Sequence, residues 1–372
     1  MNLSARLVAA LLVALSLVTG CAGAPAQPAP TANAGAGAAP ANPAPSGPSQ
    51  GGDAAPGGAP AASAAPPSLG SVRAAYAIAS VGMTPLWLAD ELGLWKQHGL
   101  DVELMLISGT PASAAALIAG EVQFVHIAGE SAFGVQAQEP DVVGIANYSV
   151  KAAQQFVTRP NITRPEDLRG KRIGAFTIGD GVYAQWRKAL LYWGVDPDHE
   201  VTWISVGGGN QGAFIAGLAA DSIDAAMLLP PNDLPALKNG ARSLAKLSDL
   251  PLPSPGLPTY VMRRTLSERR PQAEAYLKGV MDGVRVFERD PQLAKEVLGR
   301  RTGISDPEAI NAAYAGYQGG NFTDRPFIDF ARMEASLTEL AVENPEVQKV
   351  QLERAFDNSV LQALEGQGYF AQ

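Results

Sequence analysis

Residues 73–106 read RAAYAIASVGMTPLWLADELGLWKQHGLDVELML, and the punctuation of that stretch decides the fold. The apolar run Ala74 to Ala79 reads as a strand, and it empties into the small loop Ser80-Val81-Gly82-Met83. Thr84 is suited to cap a helix because its hydroxyl can accept from an unpaired backbone N–H, and Pro85 at the first helical position loses no needed donor. Leu86, Leu88, Ala89 and Leu92 give the helix its apolar residues, Gly93 and Gly99 break the chain, and Asp101 to Leu106 forms a second strand. Open α/β sheets bind ligands where strand ends meet helix N-termini. Ser80, Met83, Thr84 and Trp87 are therefore the first candidate ligand contacts, with a plain cap for Thr84 and a packed core ring for Trp87 as the alternatives.

The unit recurs along the chain. Ser108-Gly109-Thr110-Pro111 opens a helix to Ala119, and a third strand, Gln123 to Ala128, runs into Gly129-Glu130-Ser131 and another helix. An extended stretch, Val142 to Tyr148, precedes a restart of the scheme at Lys171. Strand Arg172 to Phe176 empties into Thr177-Ile178-Gly179-Asp180-Gly181, strand Glu200 to Val206 into Gly207-Gly208-Gly209-Asn210, and strand Asp224 to Leu229 into Pro230-Pro231-Asn232-Asp233. Two similar α/β lobes in series are expected. The division places residues 71–158 with 259–372 in lobe 1, through a returning strand Thr259 to Arg263, and residues 159–258 in lobe 2. Helices are predicted over Pro271 to Glu288, from Asp290-Pro291 as cap and first residue to Arg300, after the cap Asp306-Pro307-Glu308, over Phe327 to Val342 and through the tail from Glu346 to Leu364.

The N-terminus is of another kind. Arg6, an apolar run from Leu7 to Leu17 and then Val18-Thr19-Gly20-Cys21 read as a signal peptide, residues 1–20, too short for a comfortable membrane span. The last four residues resemble a bacterial lipobox, which implies that Cys21, the only cysteine, is acylated and anchors the protein to the outer face of a membrane or on its periplasmic side. Residues 21–70 are mostly Ala, Pro, Gly and Ser and read as a disordered tether. A formal net charge of −8 without clustered Lys and Arg argues against nucleic acid as a partner.

From about Val72 onward the chain resembles the substrate-binding lipoproteins of bacterial ABC importers, in the branch of nitrate, taurine and aliphatic-sulfonate binders and thiamine-pyrimidine-synthase relatives. The residues that carry the resemblance are Pro85-Leu86-Trp87-Leu88-Ala89-Asp90-Glu91-Leu92-Gly93-Leu94-Trp95, His98-Gly99-Leu100-Asp101-Val102-Glu103, Ala119-Gly120-Glu121-Val122, Glu166 to Ile173 and Phe356-Asp357-Asn358-Ser359. It implies a type II periplasmic-binding-protein clamp, monomeric, that closes on a small organic molecule and delivers it to an ABC permease with its ATPase subunits. A dehydratase-like enzyme on the same clamp, or a ligand-sensing protein, is the alternative.

The candidate ligand set is completed by Ser108, Gly109, Thr110, Gly129, Glu130 and Ser131 in lobe 1, and by Thr177, Asp180, Tyr183, Gly207 and Asn232 in lobe 2. Glu130 would oppose a sulfonate or nitrate and favour a ligand that donates hydrogen bonds or carries positive charge; a solvated helix-start carboxylate is the plain alternative. Tyr183 with Trp186 could stack on a ligand or mark a buried helix face. Lys151 and Arg187 are the cations that could enter the cleft. His98, His126 and His199 show no metal-ligand spacing, no nucleophile motif is present, and neither metal, cofactor nor catalysis is expected.

Overall fold

The computed structural model describes residues 66–371, apart from 152, 177, 179, 180 and 207–210. The signal segment, Cys21, Thr177, Asp180 and Gly207 lie outside the described residues, as does the tether up to residue 65. Its last residues are already part of the fold, because Leu69 N donates to Gly99 O (2.7 Å) and Gln272 Nε2 donates to Leu69 O (2.7 Å).

The chain begins with β1 (Ser71–Tyr76), α1 (Thr84–Glu91), α2 (Leu94–Gln97), β2 (Asp101–Leu106), α3 (Thr110–Ala119), β3 (Phe124–His126), α4 (Gly129–Gln138) and β4 (Val142–Asn147). It continues with β5 (Gln155–Thr158), β6 (Arg172–Ala175), α5 (Gly181–Tyr192), β7 (Thr202–Ser205), α6 (Gln211–Ala219), β8 (Ala225–Leu228), α7 (Asp233–Lys238) and β9 (Arg242–Lys246). After β10 (Pro258–Met262) come α8 (Arg263–Glu268), α9 (Arg270–Arg289), α10 (Pro291–Thr302), α11 (Pro307–Ala315), α12 (Phe330–Glu343), α13 (Leu352–Ala355) and α14 (Ser359–Gly366).

Two five-stranded sheets follow one plan. The first has the order β2-β1-β3-β10-β4 and the second β7-β6-β8-β5-β9. In each, the three inner-crossover strands are parallel and the fourth is antiparallel to both neighbours. The antiparallel strand of each sheet is supplied by the chain leaving the edge of the other: β4 leads to β5, and β9 leads to β10. Strand β5, expected at the end of lobe 1, therefore belongs to lobe 2. Residues 155–158 were placed with lobe 1 because they follow β4 closely, whereas their pairing with β8 and β9 is non-local and leaves no mark in sequence spacing.

The two crossovers run side by side as a hinge. Leu257 N donates to Ser149 O (3.0 Å) and Leu247 N to Gln154 O (2.8 Å). Buried Asn147 holds the second crossover, its Nδ2 donating to Pro255 O (3.0 Å) and its Oδ1 accepting from Leu257 N (3.2 Å). Gly256, at φ +67°, is required here, since a Cβ would lie 2.2 Å from Ser149 O.

The C-terminal helices wrap lobe 1. Helix α9 buries Tyr276, Val280, Val284 and Phe287, as their spacing predicts. Gly283 lets it approach α1 so closely that an added Cβ would meet Pro85 O at 2.0 Å. Burial of each such large apolar side chain contributes roughly 1.5–3 kcal/mol. The tail is not one helix: it breaks at Phe356, which bridges to β4 at Gly144 and fills the space a side chain there would need. In lobe 2, Trp186 packs edge-on to Phe156 (4.5 Å), and Asp224 ties β6 to β8 by accepting from Arg172 N, Nε and Nη2, each at 2.9 Å.

Candidate functional site

A cavity of about 610 Å³ opens between the lobes on the hinge side. Its wall comes from Glu130 at the start of α4, Val150 and Lys151 in the first crossover, Gln185 and Lys188 on α5, residues 247, 248 and 250–254 of the second crossover, and Asp329, Arg332, Ala335 and Glu339 along α12. The polar lining residues come from both lobes. The apolar lining includes a stiff strip, Leu250-Pro251-Leu252-Pro253, whose prolines fix the backbone.

Close packing places Glu130. A Cβ on Gly129 would sit 2.5 Å from Pro255 Cβ, so only glycine lets the second crossover lie against the start of α4, where Gly129 N donates to Gly256 O (3.1 Å). Glu130 follows, half-buried, and burial raises its pKa, offset by its own backbone N–H, by the charge of Lys188 and by a hydrogen bond from the Gln185 amide. The cations are held by protein oxygens. Lys188 Nζ, on a side chain 14 % exposed, pairs with Glu339 Oε2 at 2.9 Å. Arg332 Nη1 donates to Val150 O (2.6 Å), and Lys151 Nζ donates to Gly319 O (3.1 Å).

Of the candidate ligand set, Glu130 is the one among the described residues that lines this cavity. Met83, Thr84 and Trp87 are fully buried in the lobe 1 core and present no surface. Thr84 is not the cap: a short turn, Val81–Met83, precedes α1, Met83 occupies the cap position, and the Thr84 hydroxyl donates back to Val81 O (2.7 Å). Tyr148 closes the same turn by donating to Gly82 O (3.2 Å). Ser80 is half-buried, whereas Ser108 and Gly109 are exposed at the end of β2. Thr110 and Ser131 meet elsewhere, in an apolar groove of about 440 Å³ between α3 and α4.

In lobe 2, Trp186 is core, and Tyr183 packs on Trp203 (4.5 Å) with the Arg187 guanidinium 5.5 Å from its ring centre. Tyr183 and Trp186 therefore do not form one stacking face. Arg187 turns to Asp198 (2.5 and 3.0 Å), so of the two cations proposed for the cleft only Lys151 reaches the cavity wall. Asn232 is exposed; the neighbouring Asp233 is buried, with its pKa raised by burial, and accepts from Gln155 Nε2 (2.5 Å).

Sequence reasoning missed Gln185, Lys188, Asp329, Arg332 and Glu339. Their signal was present as polar residues three and seven apart on α5 and α12, a spacing that gives one helix face. It could not be told from a solvated face until α12 was seen against lobe 2. The three histidines are apart: His98 pairs with Asp282 (2.6 Å), exposed His199 with Asp196 (2.9 Å), and buried His126 meets Tyr276 Oη (2.8 Å) with its pKa lowered to about 3 by burial. Among the described residues, no group of three or more His, Cys, Asp or Glu is placed to hold a metal ion, and no helix is long and apolar enough to cross a membrane.

Residues 80–294 match the profile described as NMT1/THI5 like. The chain belongs to this family. It is 26% identical over 202 residues to the taurine-binding periplasmic protein of Escherichia coli (strain K12), covering 53% of this chain and 61% of that one, so the match spans about three fifths of that relative's length. Among solved structures, the periplasmic aliphatic sulphonate binding protein SsuA of Escherichia coli aligns with a TM-score of 0.65 at 17% identity, over 78% of this chain and 98% of that chain. The desulfurization enzyme DSZB aligns with a TM-score of 0.63 at 15% identity, over 80% and 99%. The fold is that of the periplasmic binding proteins, and it carries both binding proteins and an enzyme.

Proposed function

We propose that this NMT1/THI5 like protein is the extracytoplasmic solute-binding component of an ABC importer, holding a small organic ligand between its lobes and presenting it to a permease. The observation that carries the reading is the cavity whose polar wall is assembled from both lobes and from both crossovers. A ligand there touches lobe 1 at Glu130 and lobe 2 at Gln185 and Lys188, so it binds the closed arrangement better than an open one, which is the condition for ligand-driven closure. The enzyme reading has less support: none of the three histidines and no cysteine is among the residues lining this cavity. Val18-Thr19-Gly20-Cys21 supports an acylated cysteine tethering a monomer to the membrane.

Thermal melting of the purified protein against a metabolite panel tests the reading. A compound at 100 times its Kd adds about 2.7 kcal/mol of stability, which raises Tm by roughly 5 °C or more. If no compound raises Tm and native mass spectrometry finds no retained small molecule, the reading fails. Labelling with radioactive palmitate, present in the full chain and absent from a Cys21→Ala variant, tests the anchor.

A further inference from the structure

Every cation that lines the cavity is committed to an oxygen of the protein. Lys188 pairs with Glu339 at 2.9 Å, Arg332 donates to Val150 O at 2.6 Å and also lies 3.9 Å from Asp329, and Lys151 donates to Gly319 O at 3.1 Å. Glu130 is the exception on the acidic side. It stands half-buried in the cavity wall, no ion pair to it is formed among the described residues, and what faces it from lobe 2 is Gln185 and the more distant charge of Lys188. A half-buried carboxylate without a paired cation gains from an incoming charged donor.

The remaining surface points the same way. The Leu250-Pro251-Leu252-Pro253 strip also lines the cavity, and it offers contact to an apolar body and no charge. A permanently anionic head group would meet Glu130 and find its possible partners already paired; displacing Lys188 from Glu339 would leave a second carboxylate without its cation.

We infer that the ligand class is an organic amine or amidine with an apolar body and no anionic group, its cationic head on Glu130 and its body along residues 250–253. The inference rests on the solute-binding reading above and narrows it away from the sulfonates named for the taurine-binding and SsuA proteins.

Calorimetric titration of the full chain with n-hexylamine, hexanesulfonate and taurine separates the cases. Hexylamine binds, hexanesulfonate does not, and taurine is at least tenfold weaker than hexylamine. Glu130→Gln lowers hexylamine affinity at least tenfold, while Glu130→Asp retains part of it; an unchanged melting curve for both variants shows that the fold is intact. Binding of hexanesulfonate in preference to hexylamine, or equal affinity in Glu130→Gln, overturns the inference and leaves the solute-binding reading standing. Binding of none of the three overturns the inference as well; the broader reading falls with it only if native mass spectrometry also finds no retained molecule.

Discussion

The two lobes share one strand order, and the loop after the first strand opens alike in each, with Ile78 52 % exposed after β1 and Ile178 58 % exposed after β6. The helix starts that follow differ: Thr84, Pro85 and Leu86 at the start of α1 are buried and Tyr148 closes over the Gly82 carbonyl, whereas Val182 and Tyr183 near the start of α5 are half-buried. The difference lies in what was added to each sheet, because the helices from α8 onward follow lobe 1 in the chain and pack on it, while lobe 2 has only α5, α6 and α7. A repeated sheet thus sets where the helix starts fall, and the appended helices decide how deeply each is buried.

The lobes should also respond differently to acid. In lobe 1, His126 is fully buried between Tyr276 and Thr259, and its folded pKa lies at about 3 against an ordinary value of 6.5. As pH falls below 6.5 the unfolded chain takes up a proton that the folded one refuses. The stability is whole above 6.5 and declines down to about pH 3, a loss on the order of 4 kcal/mol. Guanidinium unfolding at a series of pH values should show this decline in the wild type and a shallower one in His126→Gln; equal slopes would remove His126 as the weak point.

Helix packing gives the next largest contrast. Gly283→Ala drives a Cβ against the Pro85 carbonyl, part of a backbone that α9 holds in place, and should destabilise lobe 1 by about 3 kcal/mol. In lobe 2, Gly217→Ala meets side-chain atoms alone, Ile223 at 3.0 Å and the Ser222 hydroxyl at 3.3 Å, and gains helix propensity, so its change should stay within about 1 kcal/mol. Urea midpoints compare the two directly, and similar shifts would mean that the lobes are packed with equal tolerance.

The smallest effect belongs to Asp224, whose carboxylate is held at a pKa of about 2 by the Arg172 guanidinium and backbone N–H. Its contribution is present above the ordinary Asp value of 3.8 and vanishes as pH falls through 2. Asp224→Asn should cost roughly 1 kcal/mol at pH 7, after allowance for screening by water, and nothing at pH 2. A variant equally destabilised at both pH values would assign the effect to packing.

Much of the chain was legible from sequence because its signals are local. The breaks at Gly93 and Gly99, the caps at Asp290 and Asp306, and the apolar spacing along α9 each act through neighbours within a turn or two, and each stands where the sequence placed it. The repeated order of strand, small loop and helix was enough to determine two α/β lobes, and Gly129-Glu130-Ser131 marked an acid at a helix start. Tertiary structure alone decided that β5 crosses to the second sheet, that Thr84 and Trp87 face the core and not a ligand, and that α12 brings Arg332 and Glu339 against Lys188. Those outcomes depend on residues about 70 to 200 positions apart in sequence meeting in space, and no spacing rule within a helix or strand encodes such a meeting.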